Sequence, residues 1–106
     1  MPNLASADRP PEELQVEAGA VIFEQGSRGD LVYVVEDGAV EIFRTRGDGS
    51  EEELATVTAG GYFGELGPTL NLPRSASARA TTPTTLTSYT IRHFRRRVPD
   101  EVAAEA

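Results

Sequence analysis

Apolar and β-branched residues recur along this chain in short runs, each closed by a glycine-bearing turn. The runs Leu14–Val16, Ala20–Phe23, Leu31–Glu36, Ala39–Phe43, Glu53–Val57, Ser77–Ala80 and Leu86–Ile91 are rich in Val, Ile, Tyr, Phe and Thr. Such residues suit a pleated surface, and each run reads as a strand. Glycines at 26, 29, 38, 47, 49, 60 and 61 punctuate the runs where the chain must turn sharply. Asp37-Gly38, between two apolar runs, predicts a hairpin. Helical patterning is scarce. His93–Val98 predicts one short helix that Pro99 stops, and Asp100–Ala106 has a helical composition over too few residues to stand alone. Many short, regularly spaced strands predict an antiparallel sandwich or barrel, a mainly β fold.

Length places all of this in one domain, because 106 residues leave no room for a second core. Residues 1–11 hold three of the seven prolines and little apolar content, and read as a flexible lead-in. A domain is expected over residues 12–98. Residues 99–106 are expected to begin a C-terminal helix that is cut short. No apolar run reaches the roughly 18 residues of a membrane span. The N-terminus lacks the basic start and apolar stretch of a signal peptide, and there are no cysteines. A cytoplasmic location is the expectation.

A formal charge of -7 argues against nucleic acid contact by this chain, since that contact rests on neutralising many phosphates. The basic cluster Arg92-His93-Phe94-Arg95-Arg96-Arg97 reads as the solvated face of the short helix. Arg28-Gly29-Asp30 and Arg46-Gly47-Asp48 read as turns, and Glu51-Glu52-Glu53 as a solvated loop. His93 is the only histidine, too few ligands for a metal-dependent enzyme on a similar roll. Neither a Walker-type loop nor a G-x-G-x-x-G turn occurs, and nothing sets a base beside a nucleophile. The chain is expected not to be an enzyme and to hold no metal or cofactor.

The chemistry concentrates in Gly61–Ala80, G-Y-F-G-E-L-G-P-T-L-N-L-P-R-S-A-S-A-R-A. Tyr62-Phe63 forms an aromatic anchor, and Gly64 lets the backbone bend close to a ligand. Glu65-Leu66-Gly67 predicts the start of one helical turn, with Pro68 tolerated inside it. Free N–H groups at such a turn favour anions, and Leu70 and Leu72 are expected to tuck the turn onto the barrel. Arg74, fixed by Pro73, carries a planar guanidinium suited to gripping a phosphate, with the Ser75 hydroxyl beside it. Glu65 can accept a hydrogen bond from a sugar hydroxyl. One cation, one acceptor and several backbone donors make a nucleotide-sized site.

F-G-E-L-G followed by P-R-S-A resembles the phosphate-binding cassette of cyclic-nucleotide-binding domains. The upstream segment A-G-A-V-I-F-E-Q-G-S-R-G-D-L-V-Y-V-V-E-D-G-A-V-E-I-F is similar to the opening strands of that family, and the resemblance covers about residues 14–98. It implies a β-roll, a double-stranded jelly-roll-like barrel with a short cassette helix and C-terminal helices. It implies a ligand, cAMP favoured over cGMP, with Glu65 on the ribose 2′-hydroxyl and Arg74 on the cyclic phosphate. Gly64 and Leu66 would lie along the ribose-phosphate, and Ser75 would complete the cradle. Gly61 stands where the family often has an acidic residue. The family's helix over the purine is at most begun here, and the DNA-reading helix pair of its bacterial regulators is absent. The resemblance thus implies a regulatory module that relays occupancy through its C-terminal helix to an effector outside this chain. The alternative is a ligand-free β-roll that serves as a protein-interaction domain.

Overall fold

The computed structural model describes residues 9–97, the side chains of residues 66 and 67 apart. Eight strands and two short helices follow one another as β1 (Glu12–Val16), β2 (Val21–Phe23), β3 (Leu31–Asp37), β4 (Ala39–Thr45), β5 (Glu51–Thr58), β6 (Tyr62–Phe63), α1 (Leu66–Leu70), β7 (Ser77–Ala80), β8 (Thr84–Thr90) and α2 (Ile91–Arg97). Two antiparallel four-stranded sheets result, one in the order β1-β8-β3-β6 and the other β2-β7-β4-β5. Among the described strands the chain changes sheet at every connection but β4 to β5. This is the β-roll.

The continuous run Leu31–Val35 shows why the two-residue period matters even where no polar residue alternates. Val35 and Tyr33 point between the sheets, where Val35 packs with Val40, Phe63, Ala78 and Leu86. Val32 and Val34 point the other way and pack with Tyr89 and Phe94. Strand β3 is therefore buried on both faces, as an uninterrupted apolar strand must be. Helix α2 contributes the half-buried Ile91 and the fully buried Phe94 to that second cluster. Sequestering such a side chain from water stabilises the fold by about 1.5–3 kcal/mol.

Three expectations need correction. Asp37-Gly38 does not make a hairpin, because β3 and β4 belong to different sheets. It is a corner: Gly38 takes φ 102°, and a Cβ there would lie 2.5 Å from Thr84 Oγ1 and 2.7 Å from the Pro83 carbonyl oxygen. The true hairpin is β4–β5, closed through the Arg46–Ser50 turn, with the Arg46 N–H donating to the Ser50 carbonyl at 2.8 Å. The triglutamate is not a loop, since Glu51–Glu53 open β5. Glu51 meets Arg79 at 2.9 Å and Glu52 meets Arg46 at 3.4 Å, so cross-strand cations offset the clustering of acids. Helix α2 starts two residues before the expected His93, because Thr90 closes β8 and also caps the helix. Its hydroxyl accepts the His93 N–H at 3.4 Å. Val98, Pro99 and the expected helix over Asp100–Ala106 lie outside the described residues, as does most of the expected lead-in.

Gly38→Ala should cost about 2 kcal/mol or more, because the added methyl meets backbone and the residue must leave positive φ. Urea denaturation of the purified chain measures it, and an unchanged midpoint would show that the corner relaxes without loss.

Candidate functional site

Two segments far apart in sequence build the site around Arg74. The first is the loop from Glu24 to Asp30 between β2 and β3. It binds the backbone of residue 74 on both sides: the Arg74 N–H donates to the Ser27 carbonyl at 2.7 Å, and the Gly26 N–H donates to the Arg74 carbonyl at 2.7 Å. The loop is itself tethered, with the Gln25 N–H on Ser77 Oγ at 2.9 Å and Gln25 Oε1 accepting the Thr45 N–H at 2.8 Å. The second segment is the turn from β6 into α1. There Gly64 sits at φ 85° and the Glu65 carbonyl accepts the Thr69 N–H at 3.1 Å, the first turn of α1.

The Arg74 side chain lies between these segments and is 5% exposed. Nη1 donates to the Gly64 carbonyl at 2.6 Å and Nη2 to the Leu31 carbonyl at 2.8 Å. The guanidinium carbon stands 4.1 Å from the centroid of the Phe23 ring, so the cation rests on an aromatic face. Phe23 in turn packs with Tyr33 and Phe63, at 6.0 and 5.8 Å between centroids. Nε is buried and has no hydrogen-bond partner. Burial holds the Arg74 pKa below its ordinary value, while Tyr33 and Asp30 act in the opposite direction. Burial also pushes the Tyr33 hydroxyl up.

Two glycines make this berth possible, for different reasons. A Cβ on Gly29 would stand 2.8 Å from Arg74 Nη2. A Cβ on Gly64 would stand 2.9 Å from Nη1 and 3.1 Å from Phe23 Cε2, at a backbone conformation that already favours glycine. Arg28-Gly29-Asp30 is not itself a turn but the end of the loop into β3, the turn lying at Gln25-Gly26. It has a task in the interior, since Gly29 clears space for the guanidinium and Asp30 supplies negative potential near it.

Beside Arg74 opens a cavity of about 330 Å³, lined by Gly64, Glu65, Arg74 and Ser75 together with Phe23, Ile42, Ala55, Val57, Tyr62, Phe63, Leu70, Leu72, Pro73 and Ala76. That volume falls within the roughly 300–1,000 Å³ of small-molecule sites. Four of the five residues singled out from sequence therefore share one cavity, Gly64, Glu65, Arg74 and Ser75. Leu66 opens α1, and its side chain lies outside what is described. Arg74 bonds to carbonyl oxygens rather than to Glu65. Leu70 and Leu72 are not tucked onto the barrel: they are 56% and 51% exposed and border the cavity. Leu70 ends the five-residue α1 and Leu72 follows it, and both sit at the edge of this opening. Phe23, Gly29 and Leu31 were legible in the sequence only as strand and turn residues, not as parts of the site. Only the glycine pattern around residue 29 carried a signal, because a carbonyl acceptor and an aromatic support look like any strand residue.

Among the described residues no group of three or more His, Cys, Asp or Glu could hold a metal ion. No described helix is long and apolar enough to cross a membrane.

The chain shares its sequence pattern and fold with known proteins. The family model described as the cyclic nucleotide-binding domain matches residues 13–98. An uncharacterized ABC transporter ATP-binding protein of Mycobacterium tuberculosis is 48% identical over 98 residues, 92% of this chain and 30% of that protein. A cAMP-dependent protein kinase regulatory subunit of Blastocladiella emersonii is 38% identical over 91 residues, 86% of this chain and 23% of the subunit. Among solved structures, the Thermus thermophilus catabolite activator protein superposes with a TM-score of 0.79 at 34% identity, covering 89% of this chain and 47% of that one. The chain belongs to the cyclic-nucleotide-binding domain family. It spans less than a third of the length of either of these curated relatives.

Gly64→Ala should destabilise more than Gly29→Ala, because it adds backbone strain to crowding of the same guanidinium. Each should cost about 1–3 kcal/mol. Parallel urea melts of the two variants give the comparison, and the reverse order would mean that Arg74 yields freely on the cassette side.

Proposed function

We propose that the cavity takes a cyclic nucleotide, cAMP in preference to cGMP. Arg74 holds the cyclic phosphate, Glu65 accepts the ribose 2′-hydroxyl, and Gly64, Leu66 and Ser75 run along the ribose-phosphate. The observation that carries this reading is the state of Arg74. Its charge is out of water, two of its donors are spent on carbonyl oxygens, and the buried Nε–H lacks an acceptor. A buried donor on a full positive charge favours an anionic oxygen strongly over none. The two carbonyls and Phe23 hold the guanidinium in place, so little conformational freedom is lost when the phosphate arrives.

The apolar lining from Ile42, Ala55, Val57 and Leu72 suits a flat base, and Glu65 beside Arg74 matches a sugar next to its phosphate. The preference for cAMP draws on the family. The Blastocladiella relative is a cAMP-dependent kinase subunit, and a cAMP-bound form of the EAL enzyme Bd1971 shares the fold at a TM-score of 0.74 and 33% identity, over 82% of this chain and 23% of its own. We read the chain as a cytoplasmic regulatory module and not as an enzyme. Its effector lies beyond these residues, and α2 carries the signal towards it. The ligand must then bind the two positions of α2 with different affinity.

A second reading, a ligand-free β-roll that docks another protein, is favoured by the half-exposed Leu70 and Leu72 at the cavity mouth. It expects no thermal shift with any cyclic nucleotide.

Titration calorimetry separates the two. Wild type should bind cAMP more tightly than cGMP and both more tightly than 5′-AMP. Arg74→Ala should lose about 1.5–3 kcal/mol, roughly 10- to 150-fold in affinity, through its charged hydrogen bonds. Equal, weak heats for all three nucleotides would end the proposal. Glu65→Ala should abolish discrimination between cAMP and its 2′-deoxy analogue while retaining phosphate-dependent binding; undiminished discrimination would remove Glu65 from the ribose.

A further inference from the structure

Helix α2 meets the barrel through contacts of two kinds, apolar and polar. The first is apolar. Phe94 is fully buried against Val32, Val34 and Tyr89, and the Tyr62 ring meets it edge-on at 5.0 Å between centroids. Tyr62 also lines the cavity, so one wall of the seat is shared with the ligand site.

The second contact is polar and stands apart from the cavity. Arg97, the last residue of α2, grips both carboxylate oxygens of Glu36, with Nη1 on Oε2 at 2.5 Å and Nη2 on Oε1 at 3.1 Å. The Thr87 hydroxyl donates to Glu36 Oε2 at 2.6 Å, and Arg97 Nη1 also donates to the Tyr89 hydroxyl. None of these four residues lines the cavity. The backbone prepares this arrangement. Strand β3 pairs Val35 with Leu86 and Asp37 with Thr85, leaving Glu36 as an extra residue at a bulge. The two-residue alternation puts Glu36 on the face of Val32 and Val34, towards α2, and the bulge leaves it without a register partner on β8. Glu36 is held below the ordinary carboxylate value, first by the hydrogen bond from Arg97 and then by that from Thr87. A two-pronged pairing braced by a hydroxyl is the geometry in which an exposed ion pair contributes measurably. A cation in the last turn also complements the partial charge at that end of a helix.

The geometry points to a clasp: Glu36, presented on a bulge and braced by Thr87, holds the C-terminal end of α2 to the barrel through Arg97, which Tyr89 braces in turn, and sets how readily the helix leaves its seat. The clasp acts at a place that ligand does not touch, whereas Tyr62 gives the cavity access to the same equilibrium. Opening the clasp therefore also changes affinity at the cavity, because coupling between two equilibria is reciprocal. That last consequence rests on the cyclic-nucleotide reading; the clasp itself does not.

Amide hydrogen exchange on the full chain tests it without ligand. At low salt, Glu36→Gln should raise exchange across α2 by roughly two- to five-fold, the range that an exposed ion pair supports. Exchange in β4 and β5 should not change. Adding about 0.5 M NaCl should move wild type towards the variant and leave the variant where it is, since screening acts on the charge pair. A general packing defect would instead raise exchange in both sheets without salt dependence. Unchanged α2 exchange in Glu36→Gln, or an equal rise in β4 and β5, would overturn the clasp. In a second arm cAMP is titrated into both proteins: an affinity shifted in either direction alongside faster α2 exchange supports the coupling, and identical affinity overturns it. If wild type binds no cyclic nucleotide at all, the ligand reading fails, and the exchange data still decide the clasp.

Discussion

A guanidinium removed from water has to be surrounded by acceptors, and Arg74 finds them in main-chain carbonyls of two segments that only the rolled sheets bring together. Gly64 provides one oxygen from the turn after β6, and Leu31 the other from the start of β3, 43 positions away in sequence. The Phe23 ring supports the flat face of the group. Much of the surrounding structure follows from accommodating that single side chain. Gly29 and Gly64 lack the atoms that would collide with it, and the loop from Glu24 to Asp30 closes on its backbone through paired hydrogen bonds. Such a group, moved by an ångström, would leave part-buried carbonyls without donors and a buried charge without acceptors, which costs more than the bonds themselves contribute.

The second organising feature is the strand that serves two cores. Strand β3 gives Tyr33 and Val35 to the space between the sheets and Val32 and Val34 to the seat of α2. Strand β8 does likewise, with Leu86 inside and Tyr89 facing the helix. The interior that supports Phe23, and through it Arg74, is therefore built from the same strands that hold Phe94. Tyr62 closes the loop between them, because it touches the helix on one side and the cavity on the other. Cavity and helix are neighbours through close-packed side chains, which shift between discrete arrangements more readily than they deform.

Much of this architecture could be read in the linear chain because its signals are local. Short β-branched runs between glycines marked seven of the eight described strands to within a few residues. The strand that escaped, Tyr62–Phe63, is two residues long and was visible only as an aromatic pair. The residues grouped around the cavity at 64, 65, 74 and 75 could be proposed together because they lie close in sequence, where the residue types themselves declare a cation, an acceptor and a flexible turn. Where local chemistry has two outcomes, the linear reading failed. Asp37-Gly38 suits a hairpin and a corner equally well, and Leu70 and Leu72 look alike whether packed on a barrel or bordering a cavity.

What the sequence determined by itself was the alternation, the punctuation and the chemical inventory: which stretches pleat, where the chain turns, and which residues could hold an anion. Tertiary structure alone decided the partners. That Gly29 must be small, that the Leu31 carbonyl is an acceptor, that Glu36 reaches Arg97 from a bulge and that Glu51 finds Arg79 all depend on which strands lie side by side. The physical reason is that hydrogen bonds and steric exclusion act over a few ångströms in space, whereas a sequence records only neighbours along the chain.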